Sequence, residues 1–218
     1  MKKKAPMLAV LVLMVLTLAG VTGYYWHNNT HYVSTEDARV DGEIYRVSPQ
    51  IAGEIVAMNV REGDIVQAGQ VIARIGDAAL PRGGRLDRTL VKTPVGGVVI
   101  NKLARTGEIG AAGQPVAMVV QPDALYITAN IEESYMQRVK VGQVVDIALD
   151  SHPGQKFTGR VDFIGRASLS TFSLLSQANS GSNFTKVIQR IPVRITFTDV
   201  GATRLLYGTN AVVKIHVR

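Results

Sequence analysis

Two histidines near the N-terminus have the spacing of a pair of metal ligands. His27 and His31 are four residues apart, so a helix would place both imidazoles on one face, where they could bind zinc. A zinc site also needs further ligands and groups that hydrogen-bond to the ligands and orient them, and Glu36 is the first acidic residue of the chain. The sequence therefore favours a polar linker here, and we predict no bound metal.

The remaining side chains offer little catalytic chemistry. His152 stands in a His-Pro-Gly sequence, which predicts a turn, and no motif places a serine or an aspartate beside it. The chain has no cysteine, which excludes disulfides, thiolate metal sites and cysteine nucleophiles. Glycine-rich phosphate loops and the HExxH and GxSxG motifs do not occur. We expect no catalytic residues and no cofactor.

The positive charge of the chain does not predict a nucleic-acid-binding surface. The net charge is +7, and Lys2, Lys3 and Lys4 supply three of those charges. The other basic residues are dispersed and are not interleaved with aromatic residues. We therefore expect a solvated surface and no binding to nucleic acid.

An uncharged apolar stretch follows the three lysines. As a helix, residues 5–26 would span about 33 Å, enough to cross the hydrocarbon core of a bilayer. The lysines satisfy the positive-inside rule, and residues 24–26 (YYW) suit a membrane interface. We predict a cytoplasmic tail (1–4), a transmembrane signal anchor (5–26), and a linker and first strand (27–43). A signal peptide cleaved near Ala19-Gly20 is the alternative.

Part of the chain repeats at a spacing of 44 residues. Three pairs of turn glycines recur in register: Gly53 and Gly97, Gly63 and Gly107, and Gly69 and Gly113. In each copy, short β-branched strands flank turns in which glycine accommodates a positive φ. Isolated hairpins are marginally stable, so the two copies must pack on each other. We predict a β-sandwich over residues 44–122, with half-motifs at 47–76 and 89–120.

The repeated motifs resemble a known family. Gly53-x-Ile55 followed by residues 60–70 (VREGDIVQAGQ) resembles a lipoyl/biotinyl-type domain. Residues 35–53 and 88–97 (RTLVKTPVGG) resemble the corresponding segments of HlyD/EmrA-type membrane fusion proteins, which are adaptor subunits of efflux and secretion systems. The resemblance extends from about residue 32 to residue 218. It implies a lipoyl-like barrel-sandwich hybrid domain.

The connection between the two halves, residues 77–88, departs from carrier domains of this fold. Carrier domains expose a modifiable lysine at that point, whereas this connection holds Arg82, Arg85 and Arg88 but no lysine. Lys92 lies on the incoming strand, which is the wrong place for a swinging arm. A biotin- or lipoyl-dependent carrier subunit is therefore the less favoured alternative.

The same connection departs from most membrane fusion proteins, which insert a long helical hairpin here. Pro81 and Gly83-Gly84 oppose a helix, and so short a segment cannot extend far across a periplasm. The shortness is either natural or the result of a removed hairpin. In both cases we do not expect the chain to dock to an outer-membrane channel.

Longer alternating strands follow in residues 123–218. Apolar residues alternate with polar ones around Ile127 and around Ile147, which predicts strands with one buried face. Asn130 and Glu133 have the spacing of a capping box, which predicts a short helix that Gly142 would end. Together these patterns predict a mainly β fold: an N-terminal transmembrane helix, a lipoyl-like barrel-sandwich hybrid, and a small antiparallel β-barrel with one short helix.

A polar loop over residues 167–184 contains embedded apolar residues. Phe172, Leu174, Leu175 and Phe184 are candidate contacts with a partner, because exposed apolar side chains on a polar loop often mark an interface. A mobile loop without a partner is the alternative. Residues 172–175 and 183–193 resemble the EmrA-type subgroup, whose members serve major-facilitator exporters.

The resemblance implies a non-enzymatic periplasmic adaptor of an inner-membrane export pump. Such an adaptor is a single-pass protein with its N-terminus in the cytoplasm, binds a transporter, here of the major-facilitator type, and forms a homo-oligomer. A membrane-tethered module that binds a solute or polymer without a pump is the other alternative.

Overall fold

The computed structural model describes residues 4–79, 85–172, 188–201 and 203–217. Its only helix of more than two turns in that part of the chain is α1 (Lys4–His31). The segment Val10–His31 is long and apolar enough to cross a membrane. At 1.5 Å per residue the 28 residues of α1 extend about 42 Å, more than the hydrocarbon core requires.

The strands are short, and most of them are followed by a tight turn or a short 3-10 helix. In chain order the described strands are β1 (Tyr32–Asp41), β2 (Ile44–Val47), β3 (Gly53–Met58), β4 (Ile65–Val66), β5 (Val71–Ile75), β6 (Leu90–Lys92), β7 (Gly97–Lys102), β8 (Ile109–Gly110), β9 (Ala117–Val120), β10 (Tyr126–Glu132), β11 (Val144–Leu149), β12 (Lys156–Ile164), β13 (Arg190–Asp199) and β14 (Asn210–His216). The described 3-10 helices are Asp77–Ala79, Leu86–Thr89, Pro122–Ala124, Glu133–Arg138 and Leu169–Phe172.

The chain divides into two compact units. One unit contains α1 and the barrel strands, and the other consists of Val40–Tyr126 together with Ala202–Gly208. The return of this late segment to the sandwich unit was not predicted. Its attachment includes a hydrogen bond of 2.9 Å from the Gly208 amide to the Val40 carbonyl.

The sandwich unit consists of two four-stranded sheets, ordered β2-β9-β7-β4 and β6-β5-β3-β8. The halves of the repeat exchange their shortest strands, because β4 of the first half pairs with β7 of the second and β8 pairs with β3. The sheets enclose an aliphatic core of Val47, Ile51, Ile55, Val60, Val66, Ile72, Ala73, Ile75, Val91, Val99, Val116, Ala117 and Val119. The predicted lipoyl-like sandwich is confirmed.

The barrel unit is a closed six-stranded barrel in the order β1-β10-β13-β12-β11-β14. Ile127, Ala129 and Ile131 on β10 are buried and alternate with half-buried neighbours, as the period of two predicts. Val145, Ile147 and Leu149 on β11 are buried and alternate with the exposed residues Asp146 and Ala148. Closure leaves the barrel without an exposed sheet edge.

Two details of the sequence prediction are wrong. The helix does not end at Trp26 but continues to His31. Residues 27–31, which were expected to belong to a linker, are therefore helical, and barrel strand β1 follows directly at Tyr32. No capping box forms at Asn130, which lies inside β10 and donates to the carboxylate of Asp37. A 3-10 helix begins at Glu133, whose amide donates to the carbonyl of Gln189 instead of to a cap.

Candidate partner-binding site

The loop predicted to contact a partner, residues 167–184, is described only from its start to Phe172. Phe172 ends the 3-10 helix that begins at Leu169, whereas Leu174, Leu175 and Phe184 lie outside the described residues. Leu169 in the described part of the loop has 43% of its surface accessible, and Ile188, the next residue described after Phe172, has 60%. The structure therefore leaves the role of the four candidate contacts a prediction.

Polar contacts connect the start of this loop to Gln189, and connect Gln189 and Arg190 to the barrel unit. The Ser170 hydroxyl donates to the side-chain carbonyl of Gln189, and the Gln189 carbonyl accepts the amide of Glu133 at 2.9 Å. One residue further on, Arg190 forms an ion pair with Asp37 of β1. Both side chains are nearly half exposed, so the ion pair contributes at most about 1 kcal/mol. These contacts fix where the loop leaves the barrel.

A second arrangement attaches helix α1 to the barrel. The guanidinium of Arg138 donates to the carbonyls of Asn29 at 2.7 Å and Thr30 at 2.8 Å. The His31 carbonyl accepts the amide of Val217 at 2.9 Å. Carbonyls at the end of a helix lack partners within it and carry partial negative charge, so a cation there is favourable. The helix end is thus capped by the barrel.

Next to this helix–barrel junction, Tyr32 at the start of β1 contacts side chains of the neighbouring strand β14. The Lys214 ammonium lies 4.0 Å from the ring centroid of Tyr32, and the His216 ring meets the same tyrosine edge-on at 4.9 Å. The other side of His216 is 2.8 Å from the carboxylate of Asp146. A cavity of about 600 Å³ opens beside the helix end, lined by Val21, Thr22, Tyr25, Trp26, Asn28, Asn29, Tyr32, Val33, Ser34 and Tyr135.

The sequence contained no local signal for this junction. Arg138 lies more than a hundred residues from the carbonyls that it binds, and only the closure of the barrel brings them together. Tyr25 and Trp26, which line the cavity, were predicted to lie at a membrane interface. Tyr135, which also lines the cavity, was not singled out from the sequence.

The sandwich unit carries an apolar groove of about 610 Å³ on the outer face of the β4–β7 pair. Its lining is largely aliphatic, with Arg204 and Asp123 as its charged members. The residues are Ile65, Gly96, Gly97, Val98, Ile100, Val120, Gln121, Pro122, Asp123, Ala124, Leu125, Arg204, Leu205, Leu206 and Tyr207. A volume of this size is within the range of small-molecule and side-chain binding sites.

Four of the six repeat glycines occupy turns with positive φ. Gly63 and Gly107 each have a φ of 89°, and Gly69 and Gly113 have similar values. The grouping of Gly53 and Gly97 with them needs correction, because both begin strands. At Gly97 the reason for glycine is space, since a Cβ would lie 2.2 Å from the carbonyl oxygen of Val120.

Lys92 and His152, the residues considered for carrier or catalytic chemistry, each contact neighbouring side chains of the fold. Lys92 on β6 is 2.6 Å from the carboxylate of Asp87, and this hydrogen bond, aided by the lysine charge, lowers the pKa of Asp87. The imidazole of His152 is 3.0 Å from the Ser151 hydroxyl and packs edge-on against Phe157 in the β11–β12 turn. Within the described ranges, no three His, Cys, Asp or Glu side chains are grouped so that they could hold a metal ion.

Two family descriptions match the chain in succession. Residues 38–122 match the "RND MFP, barrel-sandwich hybrid domain", and residues 124–216 match the "AAEA-like beta-barrel domain". These matches correspond to the sandwich strands and to the greater part of the barrel.

Similar proteins include components of efflux systems. The "Putative efflux system component YhbJ" of Bacillus subtilis is 34% identical over 94% of this chain and 88% of its own length. The "Colistin resistance protein EmrA" of Acinetobacter baumannii is 35% identical, over 48% of this chain but only 30% of that protein. The solved structure of the "periplasmic adaptor protein EmrA" superposes with a TM-score of 0.58 at 15% identity, covering 85% of this chain and 98% of that one. The chain belongs to the membrane fusion protein family, the adaptor subunits of efflux systems.

Proposed function

We propose that this adaptor is a non-enzymatic subunit of an export pump in the cytoplasmic membrane. In this proposal α1 crosses the membrane with its N-terminus in the cytoplasm, and the sandwich and barrel lie on the outer, periplasmic side. The partner is a transporter of the major-facilitator type, as in the EmrA-type subgroup that the sequence resembles. Several copies surround the transporter and form a path for exported solute.

The observation that carries the proposal is the direct continuation of α1 into β1 without a linker. Arg138 and the Val217 amide bind the last carbonyls of the helix, so the helix and the barrel act as one body. A barrel joined in this way stays close to the membrane surface. That position suits a subunit that must contact the outer ends of transporter helices.

The alternative of a carrier subunit has little support from the residues at its attachment point. Lys92 is engaged by Asp87 through a hydrogen bond of 2.6 Å, and it lies on a strand rather than on a free hairpin. A swinging arm requires an amine that is free to be acylated. The adaptor acts by binding and shape, and no bond is made or broken.

The experiment is a pull-down of the tagged full-length chain from detergent-solubilised native membranes, with the co-purifying proteins identified. We expect a polytopic transporter in roughly stoichiometric amount. Recovery of the chain alone, or with a soluble enzyme, would contradict the proposal and favour the tethered binding module. An outer-membrane channel in the same sample would contradict our expectation that the short connection prevents such docking.

The variant Arg138→Ala tests the part that the helix–barrel junction plays. We expect it to reduce transporter recovery several-fold at unchanged expression, because the helix end loses two charge-assisted hydrogen bonds. Arg160→Ala is the matched control, since Arg160 donates only one exposed hydrogen bond, of 3.2 Å, to the Gly142 carbonyl. Equal recovery with both variants would show that the junction does not govern transporter binding.

A further inference from the structure

The two halves of the sandwich carry the same exposed residue at equivalent positions. Ile65 on β4 and Ile109 on β8 have 76% and 81% of their surfaces accessible. Among the large apolar side chains of the described residues, these are the two highest values. Each isoleucine lies on a two-residue edge strand that pairs with the other half. Each sheet of the sandwich thus presents a solvent-exposed isoleucine on one of its edge strands.

The residues around the two isoleucines differ. Ile65 lies opposite Val98, and directly opposed residues of an antiparallel pair share one face of the sheet. Ile100, two residues further along β7, shares that face, and together they form the floor of the apolar groove. Residues 120–125 and 204–207 complete its walls. The face around Ile65 is therefore concave and largely aliphatic.

The equivalent face, formed by β3 and β8, is solvent-exposed and carries a charge. Ile109 lies opposite Glu54, and Val56 follows on the same face of β3 with 37% of its surface accessible. The position equivalent to Val98 is thus occupied by an acidic residue. Among the described residues the Glu54 carboxylate has no hydrogen-bond or ion-pair partner, and neither has the Arg204 guanidinium of the groove.

We infer that the Ile109 face of one copy packs into the apolar groove of a second copy, with Glu54 directed toward Arg204. The fit has two components: an exposed aliphatic side chain meets an aliphatic groove, and an unpaired carboxylate meets an unpaired guanidinium. A second pair of opposite charge is available, because Asp123 lines the groove and Arg105 belongs to the turn before Ile109. The inference rests on the self-association included in the proposed function.

The proposed contact joins two different surfaces, so it is head-to-tail rather than two-fold symmetric. Each copy then keeps one free groove and one free Ile109 face, and repetition of the contact either closes a ring or extends a filament. Copies anchored by the same N-terminal helix share one direction across the membrane. A closed ring around an axis normal to the membrane satisfies that restriction.

Cysteine cross-linking tests the contact, because the chain has no cysteine of its own. Full-length Ile109→Cys and Val98→Cys variants with different tags are co-expressed and oxidised in membranes. A disulfide needs Cα atoms within about 7 Å of each other. We expect disulfide-linked dimers that carry both tags, and few dimers when either variant is expressed alone. Self-linked Ile109→Cys dimers as abundant as the mixed ones would overturn the head-to-tail contact.

Leu103→Cys is the matched control for Ile109→Cys. Leu103 belongs to the same half, is 45% accessible, and lies outside both surfaces. With Val98→Cys as its partner, we expect at least about tenfold less mixed dimer than with Ile109→Cys. Equal yields from the two pairs would overturn the inference, because the cross-link would then report proximity alone.

A charge exchange gives an independent test. Glu54→Arg and Arg204→Glu should each lower the mixed-dimer yield about tenfold, since like charges then meet, and the double exchange should restore most of it. Failure of the double exchange to restore the yield would contradict the pairing. Recovery of the transporter without mixed dimers would overturn this interface and leave the pump adaptor standing, whereas mixed dimers without a transporter would do the reverse.

Discussion

The two halves of the sandwich have the same backbone bonding but different outer faces. The amides of Gly63 and Gly107 donate to the carbonyls of Val99 and Ile55, each at 2.8 Å, and these acceptors are also equivalent in the repeat. Outside the core, Val98 in one half corresponds to Glu54 in the other, and the groove lies beside Val98. The folding requirements are therefore duplicated, while the surfaces available to partners have diverged.

The largest expected effect concerns the duplicated core. Ile55 and Val99 are equivalent and fully buried. Ile55→Ala should lower the free energy of unfolding by about 3.5 kcal/mol, and Val99→Ala by about 1 kcal/mol less because one methylene fewer is removed. Chemical denaturation of the solubilised protein measures both, with Val56→Ala as the partly exposed control. A loss from Val99→Ala exceeding that from Ile55→Ala would show that the two halves do not share the core equally.

A slightly smaller loss of stability is expected at Gly97, the first residue of β7, which lies close to the backbone of β9. Gly97→Ala places a Cβ 2.2 Å from the Val120 carbonyl oxygen and 2.9 Å from its carbon, and a backbone contact of that kind cannot be relieved by rotating a side chain. We expect a loss of about 3 kcal/mol in the free energy of unfolding.

Gly110→Ala is the control for this substitution, because its Cβ would meet only side chains, at 3.5 Å or more. Its loss should stay below about 1 kcal/mol. Comparable losses for the two variants would mean that β9 shifts to accommodate the new methyl group at position 97. Thermal denaturation followed by circular dichroism is sufficient for the comparison.

The smallest loss of stability is expected at the positive-φ turn glycines, and it should be equal in the two halves of the repeat. Gly63 and Gly107 each have a φ of 89°, and a Cβ at either position would meet no atom within 4 Å. Substitution by alanine should therefore cost only the left-handed backbone conformation, about 1–2 kcal/mol at each position. The double variant should be additive, because the turns share no side-chain partner. Asparagine, which tolerates this region, should recover part of the loss, and unequal single losses would contradict the equivalence.

The repeat made much of the sandwich predictable from the sequence. Glycines in register and alternating aliphatic residues are local signals, and alternation likewise predicted the barrel strands around Ile127 and Ile147. The helix was predicted from its composition, but the predicted segment stops at residue 26, five residues before the observed end at His31. Residues 28–31 are poor helix formers, so their composition offers no reason to extend it. Barrel contacts from Arg138 extend the helix through those residues, and a contact so distant in sequence leaves no local pattern.

The surfaces were less predictable than the core. The groove depends on residues 204–207 returning to the sandwich after the barrel strands, and nothing in their composition indicates which unit they join. Asn130 shows how a local motif can mislead: its spacing to Glu133 fits a capping box, yet the strand pairing of β10 and the Asp37 carboxylate determine its conformation.

The pairing of β1 with β14 has a consequence for biosynthesis. Tyr32 is opposite His216, so the first strand that leaves the ribosome must wait for the last before the barrel can close. At 5–20 residues per second the wait is roughly 10–40 s. During that interval β1 has an unpaired edge next to an apolar helix, which makes the nascent chain prone to aggregation. Early insertion of α1 into a membrane would separate the nascent chains and limit their collisions while each barrel remains open.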